Sequence, residues 1–358
     1  MALRGKSGLE KRAFRRLKGS DMIGFFSNLI TKIKILFHCL CGCAVFSLVC
    51  FLYFRIFIDF AQKTKKVDMD EVKMVQVINL EKAKERRENY EKMLDLKFGG
   101  KLFTANSKDV TMKATHGRFD LIFEELDDEN NVVKTFEASE IDEKKVELKK
   151  KVRYKVYDRN YPNEFFYYKF NPSGIIYKKK HMSLGEFGCV SSHLRAIYNL
   201  ANSGDDVKYG AIFEDDFLLV DDFNKRLKKF MKNVPEDFGI LKLDGVHNGR
   251  SGRWNSWLRS RFRYGRNAYW YNANVESRKV GLTTAYIMTK DYAKKIVEWL
   301  KTNDLNGTDA TSDVLLFMVL PRKYDFDKIY IAKQVLVRQN SSFTQKGSNI
   351  KAIEKGKM

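Results

Sequence analysis

Proline is nearly missing from this chain, with only 4 in 358 residues. Pro-rich linkers and collagen-like repeats are therefore excluded. Cysteine is scarce where a disulfide would help. Of the 5 Cys, Cys39, Cys41, Cys43 and Cys50 share one apolar stretch, and Cys189 is alone in the rest of the chain. No intrachain disulfide can staple the main part of the protein. The close spacing of Cys39, Cys41 and Cys43 lacks a His or second Cys pair at zinc-site distance, which argues against a metal cluster there. Internal repeats are absent too. Acidic residues are missing between Asp244 and Glu276, where six Arg are interleaved with Trp254, Trp257, Tyr264, Tyr269 and Trp270.

What the chain does have is positive charge and enough apolar residues for a core. The net charge is +21 and the hydrophobic fraction 44%, so wholesale disorder is not expected. Charge of this sign suits anionic membrane, acidic glycans or nucleic acid and does not choose among them.

From Ile35 to Phe54 the sequence carries no formal charge over twenty residues. A helix of that length spans roughly 30 Å, the thickness of a bilayer's hydrocarbon core. Nine basic residues between Arg4 and Lys34 precede it, opposed by Glu10 and Asp21. The positive-inside rule then predicts a type II signal-anchor. Residues 1–34 form a basic cytoplasmic tail, 35–54 the transmembrane helix, 55–73 a stem and 74–358 the globular domain. Two sequons, at Asn306 and Asn340, fit a luminal domain but recur often by chance.

Met74–Leu80 is a β-branched run that reads as a buried strand, followed by a helix with Tyr90, Met93, Leu94 and Leu96 on its apolar side. Residues 120–155 read as an excursion with a helix and a hairpin, and Tyr154–Tyr177 as an aromatic cover over the core. A Gly-containing turn after His181 precedes a helix with Ser191 or Ser192 near its start. Strands are expected at 209–213, 238–244 and 281–289, and a helix at 290–301 with Ala293, Ile296, Val297 and Leu300 inward. Strands alternating with helices define an α/β fold.

The strand at 209–213 ends in Glu214-Asp215-Asp216. Acids after a buried strand need water, a cation or a positive partner, and ligands gather at the carboxyl ends of strands in open α/β sheets. In an extended segment Glu214 and Asp216 would face one side, where hard oxygen donors suit Mg2+ or Mn2+. A solvated turn is the bland alternative for the triplet taken by itself.

With its neighbours, this triplet resembles glycosyltransferase family 25, which takes in lipopolysaccharide-type glycosyltransferases and procollagen galactosyltransferase-like proteins. The resemblance runs through Val77-Ile78-Asn79-Leu80 with Arg86 and Arg87, Gly185-Glu186-Phe187-Gly188-Cys189, Ser192-His193, Ile212 to Asp216, then Gly281, Ala285, Tyr286 and Asp313. Two departures stand out. Residues 113–180 match no motif of the family, and Ser348-Asn349-Ile350 stands where the family writes Ser-Asp-Ile.

The resemblance implies a GT-A-like, Rossmann-type nucleotide-sugar domain. It also implies an inverting hexosyltransferase, with galactose or glucose moved from a UDP-sugar by help of Mn2+ or Mg2+. Glu214 and Asp216 would then hold metal and donor phosphate, with Asn79 and Arg86 near the nucleotide and Asp215 on donor sugar or ribose. Asp313 would serve as the base, with Asp309 and Glu186 as alternatives that spacing does not separate. His193 reads equally as a donor-binding group or a satisfied core histidine. Gly185 and Gly188 read as permitting a tight backbone path, and Cys189 as a small buried hydrophobe. The expected partners are a nucleotide-sugar donor, a glycan or glycoprotein acceptor, and the membrane through residues 35–54, with no nucleic acid. The expected location is the Golgi or endoplasmic reticulum lumen. The alternative is a catalytically inactive, glycosyltransferase-like carbohydrate-binding or scaffold protein.

Overall fold

Apolar strands buried on both faces organise the larger part of the molecule. A computed structural model describes residues 27–36, 38, 42–51, 64–103, 105–106, 109–174, 180–244, 270–272, 283–323, 326 and 328–340. The chain divides into two compact units, Met1–Ala61 and Gln62–Met358. The break falls inside the expected stem.

In the first unit, 27–36 and 42–51 are helical and exposed. Among the described residues no helix is long and apolar enough to cross a membrane, so the transmembrane helix expected over 35–54 is not shown. The first helical stretch carries Lys32 and Lys34. Residues 37, 39–41 and 52–54 of the expected span lie outside the described residues.

After a two-residue strand at Thr64–Lys65 and a 3-10 turn at Met69–Glu71, the second unit runs through β1 (Val72–Asn79), α1 (Lys84–Phe98) and β2 (Thr111–Lys113). A smaller run follows, comprising β3 (Leu121–Leu126), β4 (Val132–Glu137), β5 (Arg153–Asp158) and β6 (Tyr161–Lys169). Then come α2 (Leu184–Ala201), β7 (Tyr209–Glu214), β8 (Phe217–Leu219) and α3 (Phe223–Met231). The chain continues through β9 (Ile240–Lys242), β10 (Trp270–Asn272), β11 (Ala285–Thr289) and α4 (Lys290–Thr302). It closes with β12 (Asp304–Leu305), β13 (Ile329–Ala332) and β14 (Val337–Gln339).

Seven strands form the main sheet in the order β10-β13-β9-β11-β7-β1-β2. β2, β1 and β7 are mutually parallel, as are β9 and β13, while β11 lies antiparallel between β7 and β9. Period-two alternation divides the core. Ile78, Ile212, Tyr286 and Met288 pack on one face with α2 and α4. Val77, Phe213, Ala285 and Ile287 pack on the other with α1 and α3. Helices on both faces of a largely parallel sheet make a mixed, doubly wound α/β domain.

Sheet order also locates a ligand crevice. From β1 the chain passes through α1 to β2 on one side, and later reaches β7 on the other side of β1 through α2 on the opposite face. Such a reversal is a topological switch point, with the crevice at the carboxyl ends of the two strands. Those ends are Asn79 and Glu214.

Residues 113–180 supply four of the five strands of a second sheet, ordered β12-β6-β5-β3-β4, with β12 added from Asp304–Leu305. It contains the expected hairpin and a short helix, Ala138–Asp142. Its Phe123, Tyr154, Phe166 and Tyr168 join the α2 side of the core.

Two helix expectations need correction. Leu96 is 77% exposed while Tyr90 and Leu94 are fully buried, because at 100° per residue Leu96 points some 200° away from Leu94. α2 begins at Leu184, well before Ser191, with Ser183 as its N-cap. The Ser183 hydroxyl accepts the Glu186 N–H at 3.3 Å, and Glu186 Oε2 accepts the Ser183 N–H at 2.8 Å. This capping box satisfies two otherwise orphaned donors, so Gly185 and Gly188 lie inside the helix. A Cβ on Gly188 would stand 2.7 Å from Gly117 N, so the bare backbone there is what lets the 114–117 loop close onto α2.

Candidate active site

β7 hands the chain to a turn at Asp215-Asp216 before β8 begins. The extended alternation expected of Glu214 and Asp216 therefore does not hold: a turn reorients successive side chains. Glu214, still in the strand, faces α2. Its Oε1 meets His193 Nε2 at 3.1 Å and accepts a short hydrogen bond from the Thr283 hydroxyl. Asp215 turns toward β1 and α1, where Asn79 Nδ2 donates to Oδ2 and Arg86 to Oδ1, both at 2.8 Å. Asp216 accepts from Gln339 Nε2 at 3.0 Å and lies 3.7 Å from the same Arg86 guanidinium. β14 pairs antiparallel with β8, and the Asn340 N–H donates to the Asp216 carbonyl, so the turn is pinned by the last described strand.

All three carboxylates line one cavity of about 150 Å3 with Arg86, Cys189 and His193. Ordinary ligand pockets run to about 300–1,000 Å3, so this space has room for the charged end of a ligand. Asn79, Arg86, His193, Glu214, Asp215 and Asp216 are thus brought together.

Asp313 is half-buried beside this centre, its Oδ1 accepting the Val314 N–H at 2.9 Å. It does not line the cavity. Glu186 is used as a helix cap. Asp309 lies in a 3-10 turn, and its side chain is outside the described residues.

The electrostatics follow from packing acids into a poorly solvated place. Burial, then the charges of Glu214 and Asp215, push the Asp216 carboxyl up to about 7, against the pull of Arg86 and Gln339. Burial also raises Asp215, opposed by Arg86 and Asn79. For Glu214 burial acts upward, but the hydrogen bond and charge of His193, with Thr283 and Lys242, bring it below its ordinary value. Asp216 Oδ1 is buried without a hydrogen-bond partner. Asp215 and Asp216 share Arg86 while Glu214 is held by His193, and an orphaned oxygen among three clustered acids is the kind of site that suits a divalent cation.

His193 joins the two readings left open for it. It is 1% exposed and held through Nδ1 by the Tyr286 hydroxyl at 3.1 Å, yet its Nε2 reaches Glu214. Cys189 is also more than filler: it lines the cavity, and its Sγ is 3.4 Å from Ser312 Oγ.

Sequence reasoning missed Thr283, Ser312 and Gln339, whose roles arise from distant pairings. It also missed Lys242, fully buried at the end of β9 and ion-paired with Asp244. Burial lowers Lys242 and pushes Asp244 up to about 6, each opposed by the other's charge. The adjacent acid in Leu-Lys-Leu-Asp was the available signal.

Of the basic aromatic stretch, 245–269 and 273–275 lie outside the described residues. Trp270 is buried and donates from Nε1 to the Phe230 carbonyl, a core role. At the first sequon, the Asn306 amide accepts the Asn171 N–H at 2.9 Å and donates to the Asn171 carbonyl at 3.1 Å. A glycan on that nitrogen would disturb the pair. At the second, Asn340 is described and residues 341–342 are not.

The family model for glycosyltransferase family 25 (LPS biosynthesis protein) matches residues 73–315. No curated protein matches the chain significantly. The family match covers more than half of the 358 residues, and it spans β1, α2, the acidic turn and β11. The chain belongs to this family and is a glycosyltransferase, with a sugar donor and a glycan acceptor as its substrates.

Proposed function

We propose that this family member transfers a hexose, such as galactose or glucose, from a UDP-sugar to a glycan or hydroxylated protein side chain, with inversion at the anomeric carbon. The observation that carries the reading is Asp216 Oδ1, buried and unpartnered in a cavity where three carboxylates meet at the switch point. Glu214 and Asp216 would hold Mn2+ or Mg2+. When bound, such a cation neutralises the charge that develops on the departing diphosphate.

The chain's own residues do the rest. Arg86 sits between the turn and the cavity, where a guanidinium suits donor phosphate. Asp215, fixed by Asn79 and Arg86, is a rigid acceptor for a ribose or sugar hydroxyl. Asp313 takes the acceptor hydroxyl's proton as that oxygen bonds to the anomeric carbon. The bond from that carbon to the diphosphate oxygen breaks, and its electron pair leaves with UDP.

The full chain, offered a panel of nucleotide-sugars with Mn2+, is expected to turn over a UDP-hexose. Glu214→Ala with Asp216→Ala should lower that rate at least about 100-fold, the order found when a charge-stabilising group is removed. Unchanged turnover in the double variant sinks the reading.

The same proposal takes residues 35–54 as a signal-anchor with the enzyme in the Golgi or endoplasmic reticulum lumen. Its support is the uncharged run, the basic excess before it, and apolar side chains such as Leu36 and Phe46 that are 61% and 71% exposed. Protease added to sealed vesicles should spare the domain beyond residue 73, and digestion of that domain overturns the topology.

A further inference from the structure

Cys189 and His193 are four residues apart on α2, which places them one turn apart on the same helix face. Glu214 comes to that face from the end of β7. Cys189, His193 and Glu214 each offer one ligand atom, and the three atoms lie within 4.8 Å of one another. His193 Nε2 and Glu214 Oε1 are 3.1 Å apart. Tetrahedral ligands at zinc bond lengths stand about 3.3–3.6 Å from each other. The cluster therefore needs only about an ångström of closure to surround such a cation.

The surroundings are already built to orient those donors. His193 Nδ1 is tied to the Tyr286 hydroxyl at 3.1 Å and the two rings stack, which leaves Nε2 facing the cluster. Thr283 donates to Glu214, and Ser312 lies between Thr283, at 3.2 Å, and Cys189, at 3.4 Å. Outer hydrogen bonds of this kind fix the ring and carboxylate orientation of metal ligands. All three ligand residues line the same cavity, so the cluster is reachable from the substrate side.

We propose that Cys189 Sγ, His193 Nε2 and Glu214 Oε1 form a site for a thiophilic divalent cation of the zinc class, and that filling it inhibits sugar transfer by occupying the Glu214 carboxylate that transfer needs. A thiolate and an imidazole select zinc-class cations over Mg2+ or Mn2+, which prefer all-oxygen donors. Binding exchanges the Cys189 S–H bond for a sulfur–metal bond and releases the proton to solvent. The site stands on its own geometry, whereas its inhibitory consequence rests on the role proposed above for Glu214.

The test uses the full chain with Cys39, Cys41, Cys43 and Cys50 replaced by alanine, which leaves Cys189 as the sole thiol. Titration with Co2+ should produce a near-ultraviolet thiolate-to-metal charge-transfer band and intense visible bands of a tetrahedral centre, saturating at one ion per chain. Cys189→Ser, close in size and able to keep the Ser312 contact, should lose the charge-transfer band while retaining the parent's circular dichroism. His193→Gln should weaken cobalt binding at least about tenfold, as loss of a direct ligand demands. No charge-transfer band, or an equal band in Cys189→Ser, overturns the site. Zn2+ should also inhibit transfer, with a half-inhibiting concentration at least about tenfold higher in Cys189→Ser. If that concentration is the same in both, inhibition through this site is overturned. A cobalt band in a chain that transfers no sugar supports the site and sinks the transfer reading. Transfer without a band does the reverse.

Discussion

Asp158 and Asp216 are both buried aspartates close to strand ends, 3% and 5% exposed, and their surroundings treat them oppositely. Asp158 Oδ2 accepts from the Thr115 hydroxyl at 2.9 Å and from Arg195 at 2.5 Å. Its Oδ1 accepts from the Asn160 backbone at 2.9 Å and the Asn160 amide at 3.1 Å. Arg195 further donates to the Lys113 carbonyl and lies over the Tyr161 ring. Asp216 has one neutral donor, a longer approach to Arg86 and an orphaned oxygen. A saturated buried carboxylate joins pieces of the fold, here β5, the 114–117 loop and α2. An unsaturated one beside two other acids is held ready for something that the chain does not itself supply.

The largest expected effect separates these roles. Asp158→Ala leaves the Arg195 guanidinium buried without its main partner and should cost about 3–5 kcal/mol in chemical denaturation. Asp216→Asn also removes a buried carboxylate, yet at pH 7 without divalent cation it should leave stability equal or higher, while transfer falls at least about 100-fold. If both variants lose similar stability, the contrast between the two aspartates is broken.

A smaller effect appears in the pH dependence. The Asp216 carboxyl has an ordinary value of 3.8 and is raised to about 7 in the fold. The folded state thus favours its protonated form, so its contribution is fully present below about pH 4 and is lost as pH rises toward 7. Without divalent cation, the Tm of the parent chain should fall more steeply across that window than that of Asp216→Asn. Equal slopes would mean that burial among the other acids does not raise Asp216.

How much of this was legible beforehand depends on whether the signal was local. β1 and β7 were readable as apolar runs buried nearly throughout, and α4 because Ala293, Ile296, Val297 and Leu300 all point inward as the helical spacing requires. The acidic turn was readable because acids ending an apolar strand are costly unless used. The start of α2 had a local signal too, Ser183 three residues before Glu186, but the glycines inside the helix masked it. Leu96 was misplaced by counting apolar residues without their angle. Gln339 and Asp158 were not readable at all. Their partners are 123 and 37 residues away, at Asp216 and Arg195, and such meetings depend on strand pairing that no local window contains. The second sheet carried no motif legible in the sequence, though the family match runs through it, and through Asp158 it holds both the cavity's Thr115 wall and the helix that carries His193.

The finest form of the comparison removes one neutral donor from each aspartate. Thr115→Val keeps the shape of the side chain but takes a hydrogen bond from Asp158 and leaves buried polar groups short of a partner. It should cost about 1–2 kcal/mol. Gln339→Leu takes the amide donor from Asp216, whose carboxyl already favours the proton, so protonation compensates for much of the loss. Its stability change at neutral pH should stay under about 1 kcal/mol. The lost hydrogen bond had been lowering the Asp216 carboxyl, so the upper end of its pH window should move to higher pH. A Gln339→Leu chain that loses as much stability as Thr115→Val, with an unmoved profile, would place Asp216 among the architectural acids and leave the cavity without its most distinctive group.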